Sequence, residues 1–284
     1  MKPENLASGI FLDGGDPVET KEIMDLLDFL DGQTTNPTLV ARNPYAAGEK
    51  FSKRELWNFY RKIVTDISET IPDGSVSVEV YADKNTSAEE ILQQAEKLSD
   101  WISNAHIKIP LTNAGLSAAE KALKKGIKLN ITLCFSQEQA AAVYAATRGA
   151  KKGDVFISPF IGRLDDRGED GMSLIKNIMK MYEGGDGHVE VLAASVRSYD
   201  HFLRSLQLKA DIITAPAKIL REWAKKRKPM PDKNYKYKSG TLKNIPYKNL
   251  DLSKPWNKFN LKHELTTKGV ESFCKDWNQL IATS

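Results

Sequence analysis

The sequence predicts an α/β protein built as a (β/α)8 TIM barrel, with a C-terminal extension that ends in a helix. Two observations indicate this fold. Eight short, mostly apolar runs lie between residues 9 and 216, and most are followed by a segment with apolar residues at three- to four-residue spacing. A doubly wound open sheet is the alternative, but no G-x-G-x-x-G motif follows the first run, so nothing favours a dinucleotide-binding fold.

The predicted strands and helices alternate along the chain. The strand-like runs are GIFLDGG (9–15), DGQTTN (31–36), SVSVEVY (75–81), AHIKIPL (105–111), KLNITLCF (128–135), VFISPFIG (155–162), EVLAASV (190–196) and ADIITAP (210–216). The helical segments are 18–30, 53–71, 86–100, 116–126, 136–149, 171–185, 198–209 and 217–226. Ser87 and Ser136 stand where N-caps are expected, and Gly126 and Gly149 stand where two helices should stop.

The barrel is expected to occupy residues 1–228, and a different kind of segment follows it. Residues 229–262 are rich in proline, asparagine and lysine and show no clear period. Residues 264–282 then predict a final helix with an apolar stripe, formed by Val270, Phe273, Cys274, Trp277 and Leu280. We therefore expect 229–284 to be a basic arm and a C-terminal helix that pack on the barrel or on a neighbouring subunit.

The bulk composition excludes several classes of protein. The 284 residues are 41% hydrophobic and 27% charged, which is ordinary for a soluble globular protein. No apolar run approaches the roughly 20 residues of a membrane helix, and the N-terminus lacks a signal-peptide pattern, so we expect neither a membrane partner nor secretion. Two widely separated cysteines fit a cytoplasmic protein, and four scattered histidines offer no metal-ligand spacing, so we expect no metal or cofactor.

Lys108 stands in the middle of a short apolar strand, between Ile107 and Ile109. Burying an ammonium group there is costly unless the group is paired or becomes neutral. A desolvated lysine is a nucleophilic amine, the group that forms a Schiff base with a carbonyl. Taken alone, the sequence around Lys108 favours another interpretation over a nucleophilic amine: an edge-strand lysine whose stem packs on apolar surface while its ammonium group reaches water.

The other predicted strands favour the nucleophilic interpretation, because most carry a polar residue near the carboxyl end, where barrel enzymes place their chemistry. Lys108 would attack a carbonyl, and Asp13 would exchange a proton with the substrate hydroxyl at the breaking bond. Glu79 and Thr132 would hold a water that moves protons during formation and hydrolysis of the imine. The remaining members would bind substrate: Asn36, Asn130 and Ser158 its hydroxyls, and Arg163, Ser195 and Arg197 a phosphate.

Eight motifs in one order resemble the transaldolase family. They are FLDGGD, TTNPTL, VEV, KIP, LNITLCFS, ISPFIGR, LAASVR and TAP, within residues 9–220. The tail LKHELTTKGVESFCKDW is similar to the C-terminal helix of small bacterial-type transaldolases and fructose-6-phosphate aldolases. The resemblance implies a (β/α)8 barrel and a metal-free Schiff-base mechanism. It also implies transfer of a dihydroxyacetone unit from sedoheptulose 7-phosphate to glyceraldehyde 3-phosphate, in the non-oxidative pentose phosphate pathway.

The matching motifs imply for these residues the same roles that their positions on the strands suggest. The lysine of KIP, Lys108, forms the Schiff base, and the aspartate of FLDGGD, Asp13, is the acid/base. Glu79 of VEV and Thr132 of NITL orient the catalytic water. Small members of the family are usually ring-shaped oligomers in which the C-terminal helix reaches the next subunit, so we expect a homo-oligomer formed through this helix.

Two positions favour a transferase over a simple aldolase. Fructose-6-phosphate aldolases typically have glutamine at the Glu79 position and tyrosine at the Phe160 position, and we place Phe160 in the substrate-binding set. Against the family pattern, the run after KIP is LTNAG, which leaves the acceptor open because this loop borders the active-site mouth.

Three alternatives remain. The first is a fructose-6-phosphate aldolase, and the second is an aldolase that accepts unphosphorylated donors. The third is a silent barrel whose basic segment 225–262 binds a polyanion. Such basic tracts are usually solvated surface, so nucleic acid is not an expected partner, and sugar phosphates are.

Overall fold

Eight short parallel strands close into a barrel in the computed structural model, which describes residues 2–282. Strands that follow one another in the chain are neighbours in the barrel, and the last strand pairs with the first. The predicted (β/α)8 architecture is confirmed, and the doubly wound alternative is wrong because the sheet has no open edge. The barrel strands are β1 Gly9–Asp13, β2 Gly32–Thr34, β3 Ser75–Glu79, β4 Ala105–Pro110, β5 Leu129–Cys134, β6 Val155–Pro159, β7 Val189–Ala193 and β8 Ile212–Ala215.

The helices occupy the segments that the apolar spacing predicts, and short ones are added at the strand ends. They are α1 Pro17–Leu27, α2 Pro37–Ala41, α3 Lys53–Thr70, α4 Ala88–Ser99, α5 Asn113–Lys124, α6 Gln137–Ala146, α7 Ile161–Asp165, α8 Gly171–Tyr182, α9 Tyr199–Gln207, α10 Ala217–Lys225 and α11 Glu264–Asn278. Ser87 and Ser136 cap α4 and α6, as expected. Gly126 and Gly149 follow α5 and α6 with φ of +78° and +92°, a left-handed conformation that glycine adopts without strain.

The amino-terminal half of the barrel interior is filled by aromatic rings. His106 stacks on Phe156 with ring centroids 4.1 Å apart, and Phe11 meets Phe156 edge-on at 6.1 Å. Burial lowers the pKa of His106 to about 4, so this ring is a neutral packing residue at physiological pH. Gly32 leaves room for Phe11, since an added Cβ would stand 2.5 Å from that ring. The polar residues therefore gather at the opposite, carboxyl-terminal end.

Residues 229–262 run over the outside of the helical layer as a strap. Amide side chains of the barrel helices hold its backbone carbonyls, which satisfies groups that have no strand or helix partner. Four of these hydrogen bonds are Gln207 to Tyr235 O at 2.8 Å, Asn177 to Ile245 O at 2.7 Å, Gln137 to Pro246 O at 2.9 Å and Gln139 to Leu261 O at 3.0 Å. All the lysines of this segment are exposed. Lys248 also forms an ion pair with Glu138 of α6 at 3.1 Å, and Lys243–Asn244 pair in parallel with Glu169–Asp170. The strap is thus held by both neutral and charged groups.

The C-terminal helix α11 lies across the mouth of its own barrel. Its apolar stripe is buried there, with Phe273 and Trp277 only 6% and 4% exposed. Thr266 donates a hydrogen bond to the backbone carbonyl of Leu133 at 2.9 Å, and the Thr38 hydroxyl contacts the Asp276 carboxylate. The barrel itself therefore covers the stripe, and assembly into a homo-oligomer stays a prediction.

Candidate active site

Lys108 lies in β4 between two polar neighbours of the adjacent strands. In the strand register it stands beside Glu79 of β3 and Asn130 of β5. Its Nζ atom is 3.0 Å from the Glu79 carboxylate and donates a hydrogen bond to the backbone carbonyl of Thr35 at 3.0 Å. Both members of the ion pair are only 3% exposed. The buried lysine is therefore paired with a carboxylate, as burial of a charge requires.

Two carboxyl groups near Lys108 hold protons more tightly than ordinary carboxyl groups. Burial raises the pKa of Glu79, and the nearby Lys108 opposes this. Burial likewise raises the pKa of Asp13, opposed by Lys108 and by a hydrogen bond of 2.8 Å from the Thr34 hydroxyl. Carboxyl groups with raised pKa values beside a buried amine are suited to exchange protons near neutral pH.

A chain of side-chain hydrogen bonds crosses the barrel below Lys108. The amide of Asn130 donates to Ser77 Oγ at 3.0 Å, and the Ser158 hydroxyl donates to Asn130 Oδ1 at 2.6 Å. Asn130 is fully buried and already has protein partners at both ends. The buried hydroxyl oxygen of Thr132, in contrast, has no hydrogen-bond partner among residues 2–282. It is a polar atom that remains available to a water or a substrate group.

A pocket of about 240 Å³ opens above Lys108 at the carboxyl ends of the strands. Eight of the predicted site residues line it: Asp13, Asn36, Lys108, Ser158, Phe160, Arg163, Ser195 and Arg197. The other three, Glu79, Asn130 and Thr132, are buried and do not form its wall. A larger cleft of about 330 Å³, between α3, α4 and α11, is lined mainly by aromatic and aliphatic side chains and contains none of the predicted residues.

Two predicted arginines, Arg163 and Arg197, line the pocket from segments other than the Lys108 strand. Arg163 lies on α7, with its guanidinium 5.6 Å from the ring centroid of Phe160 and 5.5 Å from that of Phe273. Arg197 follows β7 and forms an ion pair with Asp166. Guanidinium groups converging on a small pocket match the geometry of a phosphate.

The loop that carries Arg197 is held in an uncommon backbone conformation. Ser195 has a φ of +58°, which is unusual for a residue with a side chain. Its carbonyl accepts a hydrogen bond from the Gly162 backbone N–H at 3.1 Å. His201 also supports this loop, because its Nδ1 accepts from the Arg197 backbone N–H at 3.4 Å and its Nε2 lies 2.7 Å from Asp165. The position of Arg197 thus depends on contacts with α7.

Gly162 allows the close approach of α7 to this loop, and a methyl group there should displace Arg197. A Cβ at this position would stand 2.5 Å from both Arg197 Nε and the Ser195 carbonyl oxygen. For a substrate whose phosphate contacts Arg197, we expect Gly162→Ala to raise the KM about tenfold, equivalent to about 1.4 kcal/mol of binding. Gly184→Ala is the control, since the nearest atom to its Cβ is 3.9 Å away. Equal KM values for the two variants would contradict the inference that Gly162 is needed for the close contact between α7 and the Arg197 loop.

Seven residues that sequence reasoning did not place in the site also line the pocket. Four of them are Thr38 and Leu39 of α2, Arg42 directly after α2, and Phe273 of α11. The other three lie at or next to strand ends: Thr34, Ala194 and Thr214. Arg42 follows directly on the TTNPTLVA run, so its nearness in sequence to Asn36 was an available signal. Phe273 had no such signal, because an apolar helix position does not reveal which surface it covers.

No metal centre accompanies this pocket in the part of the chain that is described. There, histidine, cysteine, aspartate and glutamate side chains form no group of three or more that could hold a metal ion. Among the same residues, no helix is both long enough and apolar enough to cross a membrane.

Comparisons with known proteins show which chains this one is similar to. A sequence profile described as Transaldolase/Fructose-6-phosphate aldolase matches residues 10–284. A "Probable transaldolase" of Herpetosiphon aurantiacus is 34% identical over 271 residues, 95% of this chain and 95% of that protein. A "Probable transaldolase" of Dehalococcoides mccartyi is 38% identical over 211 residues, 74% of this chain and 88% of that protein. The solved structure of an enolase protein from Sargasso Sea environmental sequencing, with a TM-score of 0.50 at 9% identity, covers 76% of this chain and 56% of that one and is alike in fold alone.

Proposed function

Because this chain belongs to the transaldolase/fructose-6-phosphate aldolase family, we propose that it is a transaldolase acting through a Schiff base on Lys108. It would transfer a dihydroxyacetone unit from sedoheptulose 7-phosphate to glyceraldehyde 3-phosphate, giving erythrose 4-phosphate and fructose 6-phosphate. The observation that carries this proposal is the buried Lys108–Glu79 pair, at 3.0 Å, beneath a pocket that Arg163 and Arg197 line.

The first half of the proposed reaction forms the imine. The Lys108 ammonium group passes one proton to Glu79, the resulting amine adds to the ketone carbon of the donor, and that proton returns as the carbonyl oxygen leaves as water, which gives an iminium ion. Glu79 and Thr132 would hold the water that carries these protons. Burial raises the pKa of Glu79, and the buried hydroxyl oxygen of Thr132 has no hydrogen-bond partner within residues 2–282. The iminium ion is the electron sink for the next step.

The second half breaks and remakes a carbon–carbon bond. Asp13 takes the proton of the donor's C4 hydroxyl, the C3–C4 bond breaks, and its electron pair enters the iminium to form an enamine. The aldehyde product leaves, and the enamine carbon attacks the acceptor aldehyde while Asp13 returns the proton to the new hydroxyl. Water then hydrolyses the imine and releases Lys108. Asn36 and Ser158 on the pocket wall would bind the sugar hydroxyls.

Asn130 fits a supporting role better than direct substrate binding. Its amide nitrogen donates to Ser77 and its Oδ1 accepts from Ser158, and it lies beside Lys108 in the register. We propose that it orients the Ser158 hydroxyl, which lines the pocket. This keeps Asn130 in the site while assigning the contact with substrate to its neighbour.

The remaining features are proposals of the same kind. Membership of a family of metabolic enzymes supports a place in the pentose phosphate pathway and in the cytoplasm, with sugar phosphates as partners. We also propose a homo-oligomer, in which α11 or the surface around it meets a neighbouring subunit. The family name includes fructose-6-phosphate aldolase, and Glu79 with Phe160 supports the transferase of the two.

Borohydride trapping tests the proposed chemistry directly. The protein is incubated with fructose 6-phosphate and borohydride, and the modified peptide is identified by mass spectrometry. One reduced three-carbon adduct on Lys108 supports the imine, and a transfer assay with erythrose 4-phosphate as acceptor then separates transaldolase from aldolase. A folded protein that forms no adduct with fructose 6-phosphate, sedoheptulose 7-phosphate or dihydroxyacetone would contradict the proposal and leave the polyanion-binding barrel as the better interpretation.

Removal of the Arg163 or the Arg197 guanidinium should weaken binding of phosphorylated donors. Loss of a charge-assisted contact of about 1.5–3 kcal/mol corresponds to a KM that is roughly 10- to 100-fold higher. We expect this for Arg163→Ala and Arg197→Ala, with a smaller effect on dihydroxyacetone, which has no phosphate. Arg61→Ala, on the exposed face of α3, is the control. Unchanged KM values would favour an aldolase for unphosphorylated donors.

A further inference from the structure

Tyr60 of α3 places a buried hydroxyl directly behind the Lys108–Glu79 pair. Its side chain is 1% exposed and lies outside the pocket wall. The backbone N–H of Glu79 donates a hydrogen bond to the Tyr60 oxygen at 2.7 Å, and the Thr35 hydroxyl lies 2.7 Å from the same oxygen. This single hydroxyl therefore joins the end of β3 to the segment that follows β2.

The direction of each hydrogen bond in this network follows from the number of protons. The Thr35 hydroxyl donates its only hydrogen to the Ser77 carbonyl at 2.8 Å. Tyr60 must then donate to Thr35 Oγ1, since an oxygen whose hydrogen is already committed can only accept. The sequence of donors is Glu79 N–H to Tyr60, Tyr60 to Thr35, and Thr35 to Ser77 O. Burial raises the pKa of Tyr60, which keeps its hydroxyl protonated as this arrangement needs.

The network stands where the ladder between two strands ends. The register of β2 and β3 runs from Gly32 beside Ser75 to Thr34 beside Ser77, after which the chain leaves β2 and enters α2. β3 continues to Glu79, whose backbone N–H takes Tyr60 as its acceptor. The Tyr60 hydroxyl thus replaces the missing strand partner at the residue that pairs with Lys108.

The same hydroxyl also acts on the second partner of Lys108. Lys108 donates to the backbone carbonyl of Thr35, and the Thr35 side chain is held by Tyr60. Both groups that contact the lysine amine, the Glu79 carboxylate and the Thr35 carbonyl, therefore belong to residues that Tyr60 contacts.

We infer that Tyr60 is a positioning residue for the reaction, whose hydroxyl sets the placement of Glu79 and of the Thr35 carbonyl around the Lys108 amine. This inference rests on the proposed function, because it concerns the geometry of the proposed imine chemistry. Tyr60 touches no substrate from its place outside the pocket, so it acts through Glu79 and Thr35. A displacement of even a fraction of an ångström at such a pair lowers the rate of the chemical step more than it lowers binding.

The ring of Tyr60 is held independently of its hydroxyl, which makes a clean variant possible. Three indole rings surround it, with centroid distances of 6.3 Å to Trp57, 5.8 Å to Trp101 and 5.7 Å to Trp277. Trp277 belongs to α11, so the C-terminal helix also supports the ring. Phenylalanine at position 60 should keep this packing and lose only the hydrogen bonds.

The experiment compares Tyr60→Phe with a matched variant, Tyr182→Phe. Tyr182 is also buried, and its hydroxyl donates to the backbone carbonyl of Ala140 at 2.7 Å, away from the pocket. Tyr60→Phe should lose more thermal stability than Tyr182→Phe, since it leaves the buried Glu79 N–H without its acceptor. We expect Tyr60→Phe to lower kcat and the rate of borohydride trapping on Lys108 about tenfold, with the KM for fructose 6-phosphate within about twofold of wild type. Tyr182→Phe should leave kcat, trapping rate and KM unchanged.

Thr35→Val provides a second variant in case Tyr60→Phe does not fold. Valine keeps the branched shape and removes the acceptor of the Tyr60 hydrogen, so kcat and trapping should fall as for Tyr60→Phe. A wild-type kcat and trapping rate in either folded variant would overturn the inference while leaving the proposed function intact. Absence of any adduct and any turnover in the wild-type protein would instead overturn the proposed function, and this inference with it.

Discussion

Replacement of Lys108 by methionine should lower turnover by about 10⁴-fold or more and abolish the borohydride adduct. The amine supplies both the nucleophile and the electron sink of the proposed reaction, and no neighbouring group in the pocket wall is an amine. Methionine has a similar length and suits a site that is 2% exposed, so the barrel should still form. The measurements are the transfer assay and peptide mass spectrometry after trapping.

The folding stability of the Lys108→Met variant should depend on pH differently from that of the wild type. Burial raises the pKa of Glu79, and Lys108 opposes that rise, so removing the lysine raises the pKa further. A carboxyl group whose pKa is higher in the folded state than in the unfolded state binds protons more tightly when folded, so stability falls as the pH rises through that range. The variant should therefore have a lower melting temperature, relative to wild type, at pH 8 than at pH 5.

Addition of Glu79→Gln provides the control for that pH effect. The double variant Lys108→Met, Glu79→Gln has no carboxyl group at position 79, so its stability relative to wild type should decrease less with rising pH. The remaining decrease would come from Asp13, whose raised pKa Lys108 also opposes. Turnover that persists in Lys108→Met, or an adduct that forms on a different lysine, would contradict the assignment of the Schiff base.

Replacement of Asp13 by asparagine should lower kcat by about 10²- to 10⁴-fold, the range of a lost general acid/base. The proposed role needs the carboxylate form to take the proton of the C4 hydroxyl. Burial raises the pKa of Asp13. As the pH is lowered, the wild-type rate should therefore begin to fall at a higher pH than it would with an ordinary aspartate. In Asp13→Asn this acidic limb should disappear, and pH–rate profiles measure the difference.

Trapping separates the roles of the two residues. Asp13→Asn keeps Lys108, so it should still form a borohydride adduct with a three-carbon ketone such as dihydroxyacetone while it fails to cleave a longer donor. Asp25→Asn, on the exposed face of α1, is the matched control and should behave as wild type. A pH profile in Asp13→Asn with the wild-type acidic limb would assign that limb to another group, and Glu79 is the first candidate.

Much of the fold and of the pocket could be predicted because a parallel barrel has simple rules. All its strands end at the same rim, so residues such as Asp13, Lys108 and Arg197 meet there although they are far apart in sequence. The strand pattern was sufficient because the runs are short, apolar and separated by helices. Asn130 shows the limit: its residue type predicts contact with substrate, and only the structure shows that its amide also forms hydrogen bonds with Ser77 and Ser158.

The sequence by itself determined the barrel, the order of its strands and which polar residues stand at its rim, because side-chain periodicity and residue type act locally. Only the tertiary structure decided which surface the C-terminal helix covers, how closely Gly162 approaches the Arg197 loop, and that Tyr60 completes the hydrogen bonding of Glu79. Each of these depends on contacts between residues distant in the chain, such as Phe273 with Arg163. An apolar stripe, a glycine or a tyrosine has the same local pattern whatever it contacts, and the packing of the whole chain selects the contact.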